Sequence, residues 1–111
     1  MAYAEPLSPL SRTIEDWLNT TYLDGTAHMQ ALASSLGMSP RTLRRHLARQ
    51  RTSFSAILER WRRNTAVAML RSQDLSVQQI AKRLGYSHAS NFERAFKRWT
   101  GLSPTSYRAI L

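Results

Sequence analysis

The chain has 111 residues, 42% of them hydrophobic, enough for a single compact domain with its own core. Sixteen basic against seven acidic side chains give a formal net charge of +9, and the lack of cysteine excludes disulfides, thiolate metal sites and cysteine nucleophiles. No signal-peptide pattern is present and no apolar run approaches the roughly 18 to 20 residues of a membrane span, so no membrane contact and a cytoplasmic location are expected. The charge is unevenly placed. Residues 1–40 carry one basic and four acidic side chains, whereas residues 41–111 carry fifteen basic and three acidic ones. Fourteen of the sixteen basic residues are arginine, whose planar fork suits phosphate or guanine better than general solubility requires.

In chain order the pattern is helical throughout, with no period-two alternation and no β-branched clusters. Residues 1–7 read as a loose tail and 8–111 as the domain. Ser8-Pro9 opens a first helix with the stripe Leu10, Ile14, Trp17 and Leu18. After an Asp24-Gly25 turn, a short helix is expected from about Ala27 to Leu36. Ser39-Pro40 starts a third, with Leu43 and Leu47 inward and arginines outward. Thr52-Ser53 caps the longest helix, to about Ser72, on which Phe54, Ile57, Leu58, Trp61, Thr65, Ala68 and Met69 form one apolar stripe. Ser76 with Gln79 is a capping box for the fifth helix. Ser87 is expected to begin the sixth, with Phe92, Phe96 and Trp99 inward and Gly101 as its stop. Ser103-Pro104 starts a seventh, ending near Leu111.

One pattern occurs twice. Leu32-Ala33, Leu36-Gly37-Met38-Ser39 returns 48 positions later as Ile80-Ala81, Leu84-Gly85-Tyr86-Ser87. Alanine permits close helix approach, glycine can end a helix in the left-handed conformation, and serine can open the next; this is how a helix-turn-helix reads. The expected fold is therefore all-α and homeodomain-like: a first helix-turn-helix at about 29–50, a linker helix at about 53–72 and a second helix-turn-helix at about 77–100. Nineteen residues of linker helix measure roughly 28 Å, close to the roughly 34 Å between successive major-groove faces on one side of B-DNA. Such a spacer suits two probes set one helical turn apart.

From Met38 to Arg108 the sequence resembles the DNA-binding domain of the AraC/XylS family of bacterial transcription regulators. The resemblance rests on Met38-Ser39-Pro40-Arg41-Thr42-Leu43-Arg44-Arg45, on Arg62 with Ala66 and Met69-Leu70, and on Leu75 to Ala81. It continues through Leu84-Gly85-Tyr86-Ser87, Ser90, Phe92, Arg94, Phe96-Lys97 and the close Gly101-Leu102-Ser103-Pro104 with Tyr107-Arg108. With the first two helices it covers about residues 8–110. It implies sequence-specific binding of promoter double-stranded DNA, more often by an activator, and contact with RNA polymerase. It also implies a separate domain, absent here, for effector binding and dimerisation, so the chain is either a stand-alone reader or, as the expected status, an excised fragment. Arg51 departs from the family pattern, which usually has glycine there, so a differently shaped turn is expected.

Arg41, Arg44 and Arg45 fall on one helical face, opposite Leu43 and Leu47, and are candidates for base contact. Thr42, Arg49 and Arg51 are candidates for phosphate. In the second unit the resemblance implies groove-facing roles for His88, Ser90, Glu93 and Arg94, although Arg94 could instead pair with Glu93 or pack structurally. Ser87, Asn91, Lys97 and Arg98 are the corresponding phosphate candidates, helped by the helix N-terminus. Arg60 and Arg63 on the long helix read as solvated or paired. A face poorer in donors and holding an acid suggests that the second unit positions more than it discriminates.

Rival functions find less support. His28, His46 and His88 lack ligand spacing and have no cysteine to complete a site, so neither a metal nor another cofactor is expected. Trp17, Trp61 and Trp99 lie on apolar stripes, which favours core packing over base stacking. No Gly-rich phosphate loop or acid–base pair suggests an enzyme, and the DNA-repair alkyltransferases that bear this type of domain need a cysteine. The remaining alternative is a non-specific or architectural nucleic-acid-binding module using the same basic surface.

Overall fold

A computed structural model describes residues 8–21 and 28–111, which form seven helices and no strands among the described residues. These are α1 (Pro9–Thr20), α2 (His28–Ser35), α3 (Pro40–Arg49), α4 (Phe54–Ser72), α5 (Val77–Arg83), α6 (Ala89–Thr100) and α7 (Pro104–Ala109). The expected tail, the Asp24-Gly25 turn and the Ala27 start of the second helix lie outside the described residues.

Serine sets most of the helix starts. The hydroxyls of Ser8, Ser39, Ser53, Ser76 and Ser103 each accept the backbone N–H three residues on, at 3.1 Å. Proline follows three of them at the first helical position, where its missing N–H costs nothing. The expected capping box is present: Gln79 Oε1 accepts the Ser76 N–H at 2.8 Å. The sixth helix differs from expectation. It begins one residue late, with His88 rather than Ser87 at the N-cap and no side-chain bond there.

α2 packs on α3 and α5 on α6, so two helix-turn-helix units form; the second meets α4 through α5, and both share one core with it. α1 lies on α4, where Trp61 Nε1 donates to Asn19 Oδ1 at 2.7 Å. α7 closes against α4 and α6. A continuous core runs through both units, from Ile14, Leu18, Leu32, Leu43 and Leu47 to Leu70, Ile80, Leu84, Phe92 and Phe96. The linker helix is therefore part of the core that the two units share.

That sharing corrects the expected α4 stripe. Ala68 is exposed and Thr65 only half-buried, whereas Ile57, Trp61, Ala66 and Leu70 are buried. A stripe at three- and four-residue spacing assumes one covered face. α4 is covered by α1 near Trp61 and by α7 near Leu70, so its buried track turns around the helix.

Candidate nucleic-acid interface

The repeated sequence folds into the same closure twice. In the first unit the Gly37 N–H bonds to Ser34 O at 3.1 Å and the Met38 N–H to Ala33 O at 3.0 Å. The second repeats this with Gly85 on Lys82 at 3.1 Å and Tyr86 on Ala81 at 3.0 Å. Gly37 and Gly85 sit at φ of +70° and +89°, which satisfies the last carbonyls of α2 and α5 and turns the chain into the next helix. Ala33 and Ala81 are fully buried in the angle, so each pair of helices approaches closely.

The end of α3 uses this closure a third time without glycine. Arg51 bonds to Ala48 O at 2.9 Å and Thr52 to Leu47 O at 3.0 Å, with Arg51 at φ +57°. The different turn expected from Arg51 is not found: the left-handed shape is kept, with arginine carrying the strain.

α3 and α6 are equivalent in structure, but their offset is not that of the repeat. Buried Leu43 and Leu47 lie four and eight residues after the Ser39 cap, and buried Phe92 and Phe96 lie four and eight after His88. The repeat therefore runs at 48 residues through the turns and at 49 through the second helices. This sets Arg41 opposite Ser90, Arg44 opposite Glu93, and Arg45 opposite Arg94. All six side chains are exposed. Each helix is locked from behind by its apolar residues and presents the same three positions to solvent.

The two faces differ in what those positions hold. On α3, Arg41, Arg44 and Arg45 are exposed and form no ion pair among the described residues; Arg49 and Arg51 are exposed nearby and Thr42 is half-buried against the Ser39 cap. On α6, Arg94 donates to Asn91 Oδ1 rather than pairing with Glu93. Glu93 forms no ion pair among the described residues. His88, Ser87 and Lys97 are exposed. Arg98 instead turns toward α4, where it pairs with Glu59 at 3.2 Å beside the Trp99 Nε1 donor at 2.8 Å. The bonds from Trp99 and then Arg98 hold the Glu59 carboxyl below its usual value.

Two arginines read only as part of a family pattern prove to be internal fasteners. Arg62 donates from Nε to Leu84 O at 2.8 Å and stacks 4.4 Å above the Tyr86 ring. Burial pushes its guanidinium pKa down, against the favourable influence of Tyr86. Arg108 donates from Nε to Leu70 O at 3.1 Å at the end of α4. Each satisfies a carbonyl that a helix end leaves open. Of the tryptophans, Trp61 is buried and Trp17 and Trp99 pack on the core. No cluster that could hold a metal ion occurs among the described residues.

Residues 32–110 match the family described as a helix-turn-helix domain. The chain belongs to this family, in its AraC type. Among curated relatives, an uncharacterized HTH-type transcriptional regulator of Mycobacterium tuberculosis is 51% identical over 76 residues, covering 68% of this chain and 22% of that protein. The helix-turn-helix chain thus spans about a fifth of that relative's length. Among solved structures, a DNA-binding transcriptional dual regulator from Escherichia coli K-12 has a TM-score of 0.83 at 26% identity, covering 96% of each chain. The DNA-binding domain of AdpA, a global transcriptional factor solved in complex with a target DNA, gives 0.75 at 27% identity, covering 94% of this chain and 93% of that one.

Proposed function

We propose that this chain is the sequence-specific, double-stranded DNA-binding part of a bacterial transcription regulator, with α3 and α6 entering successive major-groove segments. The observation that carries it is the pair of structurally equivalent helices, each buried on one side and presenting three exposed positions: Arg41, Arg44 and Arg45 on α3; Ser90, Glu93 and Arg94 on α6. The likeness to the AdpA domain, itself solved with a target DNA, supports it. His88, exposed at the start of α6, adds a fourth groove-facing side chain there.

Phosphate contacts fall to Thr42, Arg49 and Arg51 around α3 and to Ser87, Asn91, Lys97 and Arg98 around α6. The first turn of α6, uncapped by any side chain, leaves N–H groups open to a phosphate oxygen beside Ser87. Arg98 has to exchange Glu59 for phosphate to contribute. The linker and unit boundaries read from the sequence, a cytoplasmic, nucleoid-associated location, activation and contact with RNA polymerase belong to the same proposal. So does the absence of catalysis.

Selection from a random duplex library tests it. The expected site is roughly 17 to 20 base pairs with two dissimilar boxes about 10 apart, bound in one orientation because the two faces differ. A footprint over one box of about five base pairs would contradict the two-helix geometry. Equal affinity for all duplexes would favour the architectural alternative.

A further inference from the structure

Three clefts run end to end between α3 and α6 along the amino-terminal half of α4. The one beside α3 reaches Arg44 and Ala48, the one beside α6 reaches Arg94 and Arg98, and a middle cleft of about 430 Å³ joins them. Ser55, in the first turn of α4, lines all three. Among the described residues no carboxylate lines the middle cleft.

That cleft gathers donors and positive charge that meet no carboxylate among the described residues. His28 lines it, is 9% exposed, and has its Nε2 buried without a hydrogen-bond partner among the described residues. A buried imidazole nitrogen left so is costly unless a ligand completes it. Arg62 lines it too, half-buried and without a carboxylate partner, since the ion pair among the described residues is Arg98 with Glu59. At the start of α4 the Ser53 hydroxyl takes the Ala56 N–H and the Ser53 carbonyl takes that of Ile57. The N–H groups of Phe54 and Ser55 are left without an acceptor among the described residues. Helix N-terminus, guanidinium, imidazole and hydroxyl together make a site for a phosphate oxygen.

We propose that the middle cleft binds the backbone phosphates of the DNA strand that passes between the two major-groove segments, with Ser55, His28 and Arg62 as the contacting residues. The proposal rests on the DNA-binding function above, which brings α3 and α6 to one duplex. A strand reaching from Arg44 to Arg94 then crosses the saddle at Ser55. The site is a third anchor, between the reading helices, and it is indifferent to base sequence. It also gives the half-buried Arg62 charge a counter-ion that none of the described residues supplies.

The test compares Ser55→Glu with Ala68→Glu on a duplex selected by the wild-type protein. Glutamate at position 55 favours the first turn of a helix, so the fold is retained while a carboxylate enters the cleft. Ala68 is exposed on the same helix and lines none of the three clefts. Ser55→Glu is expected to weaken binding about tenfold, and Ala68→Glu about twofold at most. Neutral methylphosphonates placed between the two boxes are expected to weaken the wild type similarly and to have no further effect on Ser55→Glu. Equal weakening by the two variants, or equal methylphosphonate losses in wild type and Ser55→Glu, would overturn the cleft assignment. So would saturation of the His28 imidazole resonance by inorganic phosphate alone, which gives the site to a small free anion. Failure of the wild type to prefer any duplex would instead overturn the DNA reading on which the proposal rests.

Discussion

Arg62 Nε donates to the Leu84 carbonyl at 2.8 Å, so the central helix holds the closing turn of the second helix-turn-helix directly. The guanidinium also covers Tyr86, the residue that follows the left-handed glycine. Replacing it opens a helix end and removes a cation–π contact. Arg62→Ala is expected to cost about 2–3 kcal/mol of stability. Arg62→Lys, which lacks the fork, should recover less than half of this. Urea denaturation checks both; an alanine variant within about 0.5 kcal/mol of wild type would show that the bond adds little.

Arg51 occupies a glycine's conformation at φ +57°. A side chain there costs roughly 1–2 kcal/mol, partly offset by the extra freedom that glycine has when unfolded. Arg51→Gly is therefore expected to stabilise the protein by about 0.5–1 kcal/mol while weakening DNA binding through the lost charge. Chemical denaturation and salt-dependent binding separate the two effects. A destabilised glycine variant would mean that the Arg51 side chain supports the turn.

Arg45 and Arg94 occupy equivalent positions, but among the described residues Arg94 alone of the two has a side-chain partner, Asn91. Arg45→Ala is expected to cost about 1–3 kcal/mol and to relax preference at one base position. Arg94→Ala should cost less, because Arg94 has to leave Asn91 to reach a base. Arg49→Ala should weaken all sequences alike. Binding to matched and scrambled duplexes decides; an equal loss on both for Arg45→Ala would remove its base-reading role.

Glu59 bonds to Trp99 and Arg98, which lowers its carboxyl below the ordinary 4.5. A carboxyl depressed on folding stabilises above its unfolded value, and that contribution is lost as pH falls through the folded one. Between about pH 6 and pH 3 the wild type should therefore lose more thermal stability than Glu59→Gln. The effect is small because the pair is exposed. Parallel melting-temperature curves would show that the pair contributes nothing to stability.

Much of the fold could be read locally. Serine caps, the Ser76–Gln79 box and the Gly37 and Gly85 turns each depend on residues within five positions of one another, so sequence spacing reports them directly. The exposed α3 face was equally legible, because Leu43 and Leu47 set which side is buried. The start of α6 was not. Ser87 is a good cap by type and repeats Ser39, yet the packing of Phe92 and Phe96 against the core moves the cap to His88.

Caps, turns and periodicity are short-range, so two helix-turn-helix units, the rod between them and the arginine-rich first face follow from residues near one another in the chain. The one-residue offset that matches Arg45 with Arg94, the turned core track of α4, and the roles of Arg62 and Arg108 follow only from packing between distant segments. These depend on which helix end lies against which side chain, over separations of 22 and 38 residues. A local pattern carries no information about such meetings, because they arise only when distant surfaces are buried together.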